Sequence, residues 1–148
     1  MSEELKQKLE ENNNRRIFDI YKNVDGIKIL HVYNSSDVDE YYKKAFDEII
    51  SINCKPAFMK EKGMSSFQYL GFVYEYIGVK PFNLKWLIPS FGGSTQWYEV
   101  EIVDLNIFSK KYFKNETFFD FSAFDLENGM AFNIDFAEDC YEYYINKV

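Results

Sequence analysis

The segment from Phe119 to Phe136 alternates apolar and polar residues on both sides of Asn128-Gly129. Asn-Gly between such runs is typical of a two-residue β-hairpin turn, which pairs Glu127 with Met130. Opposed residues in a hairpin share a face. One face then carries seven apolar side chains, which require burial: Phe119, Phe121, Ala123, Met130, Phe132, Ile134 and Phe136. The chain must therefore fold around a sheet that has a hydrophobic core against it.

The other face of this hairpin is polar. In the expected register Ser122 opposes Asp135, so Asp120 and Asp135 become diagonal neighbours on that face. Residues 138–146 predict a short final helix, and its acids extend the anionic surface: Glu138, Asp139 and Glu142. Such a surface has three interpretations: a solvated face, a protein-binding face, or a pair of carboxylates that holds a cation or divides acid and base roles.

The excess negative charge is concentrated at the C-terminal end. Residues 115–148 contain eight acids and one base, which equals the whole net charge of −7, while the other 114 residues are balanced. Nucleic acid and anionic membranes are bound through Lys and Arg, so both are excluded as partners. An acidic surface instead attracts a basic protein from a distance. Solubility alone is the simpler explanation.

The rest of the chain predicts an α+β fold in a single domain, residues 1–148. Strands are expected at 27–33, 57–60, 66–77, 84–88 and 96–105, in a mainly antiparallel, twisted sheet of about five to seven strands. The main helix, 36–52, carries a broad apolar stripe and packs on the sheet. Short terminal helices complete the fold. The first is capped by Ser2 and ends at Asn12-Asn13-Asn14, and 107–114 is a short helix or an irregular crossing.

No catalytic residue, cofactor or metal ligand set is predicted. A lone histidine, His31, and two distant cysteines cannot form a structural zinc site. The Gly-rich run at 90–95 lacks the Gly-Lys-Ser/Thr ending of a phosphate-binding loop and is expected to be a hairpin loop. Phe91 and Trp97 beside it are candidate contacts for a partner.

The start of the chain has no basic stretch followed by an apolar run, as a signal peptide would. No stretch approaches the length of a membrane-spanning helix. A cytoplasmic location with reduced thiols is therefore expected.

In size, acidity and composition, though not in any motif, the chain resembles the small acidic immunity proteins that bacteria make against toxins. That resemblance implies an inhibitor that covers the basic active-site or substrate surface of a toxin, for which a nuclease is one candidate. Two alternatives stay open. One is a ligand-binding or enzymatic domain with an aromatic-lined pocket, with candidate linings Tyr74, Trp86, Trp97 and Tyr98. The other is a virus-encoded inhibitor that mimics nucleic acid.

Overall fold

A computed structural model describes residues 2–49, 55–63, 66–91, 93–113, 120–137 and 139–147. Within them the elements are α1 (Glu3–Asn23), β1 (Ile27–Asn34), α2 (Glu40–Ile49), β2 (Phe58–Glu61), α3 (Gly71–Ile77), β3 (Lys85–Ile88), β4 (Gln96–Ile102), α4 (Leu105–Phe113), β5 (Asp120–Asp125), β6 (Met130–Phe136) and β7 (Cys140–Lys147). The strands form one antiparallel sheet in the order β1-β4-β3-β5-β6-β7-β2. The predicted α+β class is confirmed.

The first helix is much longer than expected. Ser2 caps it as predicted, because its hydroxyl accepts a hydrogen bond from the Leu5 amide at 3.1 Å. The asparagines do not end it. The Asn14 side chain accepts from the Thr95 amide at 2.8 Å, so it bonds to a neighbouring loop and does not compete for its own backbone. The helix continues to Asn23, and its residues Ile17 and Tyr21 are buried in the core.

The main helix begins later than expected. A 3₁₀ turn, Ser35–Asp37, precedes it, and α2 begins at Glu40. Asp39 acts at its start, since its carboxylate accepts from the Tyr41 amide at 2.9 Å. The helix is described to Ile49, and the predicted end at 50–52 lies outside the described residues.

The expected strand at 66–77 is wrong. It forms a 3₁₀ turn, Ser66–Gln68, followed by helix α3. Leu70, Val73 and Tyr74 are buried, and this helical spacing decides over the strand preference of the aromatic residues. Gly71 is the first residue of the helix. Residues 105–113 form helix α4, so of the two alternatives for 107–114 the described residues adopt the helix.

The expected final helix is also wrong, because its residues form strand β7. Tyr141 and Tyr143 are buried on one side of this strand, while Glu142 and Tyr144, which alternate with them, are only partly buried on the other. This alternation has the two-residue period of a strand with one wet face. Glu138 lies outside the described residues.

The hairpin exists, but its register differs by two residues. Asp125 pairs with Met130, which leaves a four-residue loop, and Ser122 opposes Asn133. The Asp125 carboxylate holds the loop, because it accepts from the amides of Glu127 and Asn128 at 2.9 Å each. A shift of two keeps every side chain on its predicted face. Phe119 and the side chain of Phe136 lie outside what the structure describes.

The two faces of the sheet are covered unequally. Helices α1, α3 and α4 pack on one face and enclose the larger hydrophobic cluster, which includes Trp86 and Phe132. Among the described helices, only α2 packs on the opposite face, over Leu87, Trp97 and Phe124. We call this second side of the sheet the α2 face. It includes the polar side of the hairpin, because Phe124 and Ser122 alternate with inward residues.

Candidate partner-binding face

Three carboxylates lie in one line across the α2 face. Asp120 on β5 pairs with Asp135 on β6, and Asp135 pairs with Glu142 on β7. Neighbouring strands are about 4.8 Å apart, so the three span about 10 Å. We call Asp120, Asp135 and Glu142 the acidic row. Asp120 is exposed, and the other two are partly exposed.

This arrangement is tighter than the sequence predicted. Asp120 and Asp135 are direct partners where a diagonal contact was expected, and the strand character of β7 places Glu142 beside them. Asp139 is exposed just before β7. Four of the five predicted acidic residues are therefore described, and three of them share one row.

Polar neighbours hold the sheet around the row. Asn133 donates to the Ser122 hydroxyl at 2.7 Å, and the Tyr144 hydroxyl donates to Glu142 at 2.8 Å. On the far side of Glu142 the row meets Met59 on β2, which is 60% exposed. The row therefore ends at an apolar side chain that is open to contact.

Phe91 and Trp97 do not lie with the acidic row. Phe91 is partly buried and packs edge-on against Tyr21, with ring centroids 6.1 Å apart. Trp97 is 5% exposed and packs against Phe46 of α2 at 5.7 Å. Its ring lies inside the protein, away from the surface where a partner would reach it.

The Gly-rich segment joins two antiparallel strands, β3 and β4, as a hairpin connection. Asn14 of α1 holds its far end, because the Ser94 hydroxyl and the Thr95 amide both donate to it, at 2.9 Å and 2.8 Å. These contacts anchor the loop to α1.

Buried chemistry is concentrated at Asp125. Tyr74 donates to its carboxylate at 2.7 Å, and Trp86 donates to the Tyr74 hydroxyl at 2.8 Å. Asn128 adds a side-chain hydrogen bond at 2.8 Å. Burial, with the nearby Asp125, raises the pKa of Tyr74 well above its ordinary value. Asp125 is fully buried and its oxygens are used by these partners, so it closes the hairpin and ties it to α3.

An aromatic-lined cavity does exist, but not where it was expected. Tyr74, Trp86 and Tyr98 are buried in the larger cluster. The cavity lies on the α2 face and has a volume of about 220 Å³. Its lining residues are Tyr33, Asp37, Val38, Asp39, Tyr42, Leu87, Glu99 and Leu126. We call it the tyrosine pocket. Its residues come from separated segments, which the strand register and the packing of α2 on the sheet bring together.

The sole histidine, His31, is exposed on β1, and its ring lies 4.2 Å from that of Tyr33. Across the described ranges, no cluster of three His, Cys, Asp or Glu residues is arranged to hold a metal ion. None of the described helices is both long and apolar enough to cross a membrane.

Comparison with known proteins gives no relative. No family model matches the chain, and no curated protein or solved structure is significantly similar to it.

Proposed function

We propose that this chain is an inhibitor of the immunity type, which binds a basic toxin and covers its active-site or substrate surface. The observation that carries the proposal is the acidic row, in which three carboxylates occupy adjacent positions on three neighbouring strands. A nuclease is a suitable target, since its substrate cleft must be basic to hold phosphates.

The three carboxylates of the row lie directly opposite one another in the sheet register. Like charges directly opposite each other destabilise a sheet. A basic partner converts that repulsion into attraction, and charge complementarity also accelerates the encounter. Lys and Arg side chains that normally bind phosphate oxygens can bind carboxylate oxygens in the same way.

Two further groups beside the row fit the same partner. Asp139 is exposed just before β7 and adds a negative charge. Met59 borders Glu142 and offers a flexible apolar contact of the kind found on binding surfaces. An apolar anchor beside charged groups is the usual composition of an interface.

The proposal is tested by expressing this chain together with the product of the gene next to its own, in a bacterial host. If that product is toxic, co-expression should restore growth. The row variant reverses the three acids of the row together with the neighbouring Asp139 (Asp120→Lys, Asp135→Lys, Asp139→Lys and Glu142→Lys), and it should lose the protection. Its affinity for the purified product should fall by several orders of magnitude at low salt.

A matched control changes the same amount of charge elsewhere. Glu3, Glu4, Glu11 and Asp19 are exposed on α1, and reversing all four to Lys should leave protection intact. Equal protection by the row variant, with its fold confirmed by circular dichroism, would show that the row is not the interface. If the neighbouring product is harmless and the chain instead inhibits a host nuclease through the row, the nucleic-acid-mimic alternative gains.

A further inference from the structure

The tyrosine pocket combines an apolar floor with an acidic opening. Val38 and Leu87 are buried, whereas Asp37 and Asp39 are exposed. At about 220 Å³ the cavity is smaller than the roughly 300–1,000 Å³ of sites for drug-sized ligands. Its size suits one side-chain-sized group.

The charge of the pocket has one sign. Its lining includes three carboxylates, Asp37, Asp39 and Glu99, and no Lys, Arg or His is among the described residues that line it. The three are not grouped closely enough to hold a metal ion together. A cation that contacts all three must therefore be larger than a single metal ion and must carry several hydrogen-bond donors.

The pocket is already organised for such a ligand. The Tyr33 hydroxyl donates to Glu99 at 2.9 Å, and this hydrogen bond raises the pKa of Tyr33. Asp39 uses one oxygen at the start of α2. A carboxylate has about four acceptor positions, so Glu99 and Asp39 retain capacity for further donors. Tyr42 packs edge-on against Phe124 at 4.9 Å, which fixes a second ring in the wall.

Trp97 belongs to the hydrophobic cluster beneath α2, next to the pocket residues Val38 and Leu87. The indole nitrogen of Trp97 is buried and has no hydrogen-bond partner among the described residues. Trp97 pairs with Tyr33 across β4 and β1, and it precedes Glu99 by two residues on the same face. The cluster beneath α2 thus contains a buried donor without a partner among the described residues, which is rare in a protein core.

We infer that the tyrosine pocket binds a guanidinium group. Guanidinium is planar, presents five N–H donors that match carboxylates, and stacks on aromatic rings. These properties correspond to the three carboxylates and two tyrosine rings of the lining. The group can belong to an arginine side chain of a protein or to a free guanidinium compound.

The inference does not rest on the acidic row, because none of the row's residues lines the pocket. A chain without any toxin partner can still bind a guanidinium compound here. An inhibitor that uses the row can equally leave this pocket unoccupied.

Binding is measured by calorimetry with N-acetyl-arginine amide as the probe. The uncharged isostere N-acetyl-citrulline amide is the comparison. The arginine probe should bind at about millimolar concentration and at least about tenfold more tightly than the citrulline probe, because a hydrogen bond to a charged group is stronger. Agmatine and a capped Gly-Arg-Gly peptide separate the two sources. Tighter binding of agmatine indicates a free compound, and tighter binding of the peptide indicates a protein side chain.

Variants locate the site. Glu99→Gln and Asp37→Asn should each weaken the arginine probe by about tenfold. Glu101→Gln is the matched control, since Glu101 lies two residues from Glu99 on the same strand, is exposed and does not line the pocket. It should bind normally. Equal binding of both probes, no binding of the arginine probe, or unchanged affinity in a folded Glu99→Gln variant would each overturn the inference.

Discussion

The two tryptophans lie on opposite faces of one sheet and differ in how their polar atoms are satisfied. Trp86 lies under α1, α3 and α4, and its indole donates to Tyr74, which donates to Asp125. Trp97 lies under α2, and its buried indole nitrogen has no partner in the described part of the chain. Among the described residues, the face of Trp86 satisfies this indole donor internally, and the α2 face leaves the indole donor of Trp97 without a partner.

The same difference extends across the two faces. The larger cluster is a closed core, whereas the α2 face carries the acidic row and the tyrosine pocket. A core contributes stability through burial and satisfied polar groups. Unsatisfied donors and adjacent like charges have a cost, and a partner can reverse it. We therefore assign stability to the first face and propose the second as the binding face.

The largest effect is expected at the centre of the closed core. Asp125→Ala removes the acceptor for Tyr74 and for the hairpin loop, and should lower the free energy of unfolding by about 3–4 kcal/mol. Urea denaturation measures this change. Glu127→Ala is the control, because Glu127 is exposed in the same loop and contributes only its backbone amide. A loss below about 1 kcal/mol for Asp125→Ala would show that the network is not structural.

The two tryptophans can be compared directly. Trp86→Phe and Trp97→Phe remove similar buried volume, but only the first removes a hydrogen-bonded donor. Trp86→Phe should therefore cost about 1–3 kcal/mol more free energy of unfolding than Trp97→Phe. Equal costs in urea denaturation would contradict the proposed difference between the faces.

Alkaline pH should act through the closed core. Burial raises the pKa values of Tyr74, Tyr112 and Tyr143 in the folded state. An unfolded tyrosine ionises near pH 10, so stability is fully present below that pH and falls above it, by about 1.4 kcal/mol per pH unit for each such residue. Tyr74→Phe should make the decline shallower by that amount. The same slope in the Tyr74→Phe variant and in the original chain would rule out burial of Tyr74 as the cause.

The smallest effect should have opposite signs at two acids of the sheet, Glu142 and Glu101. Glu142→Gln keeps an acceptor for Tyr144 but removes repulsion from Asp135, so the free energy of unfolding should rise by about 0.2–1 kcal/mol at low salt. Glu101 lies between Lys28 and Lys85 in the strand register, so Glu101→Gln should lower it. Thermal denaturation at low and high salt checks both, and a decrease for Glu142→Gln would contradict repulsion within the row.

The fold class and the sides of the hairpin were predictable from the sequence, because alternation and Asn128-Gly129 are local signals. The register was not, since the Asp125 side chain bonds to the loop amides and lengthens the turn. Aromatic residues favour strands, which led to the wrong element at residues 66–77, where helix α3 packs instead.

The sites show the same limit. Acids at 120, 135 and 142 could be identified from charge, but their alignment depends on β7 being a strand. The tyrosine pocket gave no local signal. In the sequence, Asp39 is only an acid at the start of a helix, and Glu99 is only a polar residue on the exposed side of a strand. The long-range pairing of β1, β3 and β4, with α2 packed on them, brings the two together.

The central claim is that the α2 face is the binding face. Hydrogen–deuterium exchange of this chain, with and without the purified product of the neighbouring gene, tests it directly. We expect slower exchange in residues 120–147 and 33–42, and no change in α1, α3 or α4. Protection confined to those three helices, with residues 120–147 unchanged, would contradict the claim.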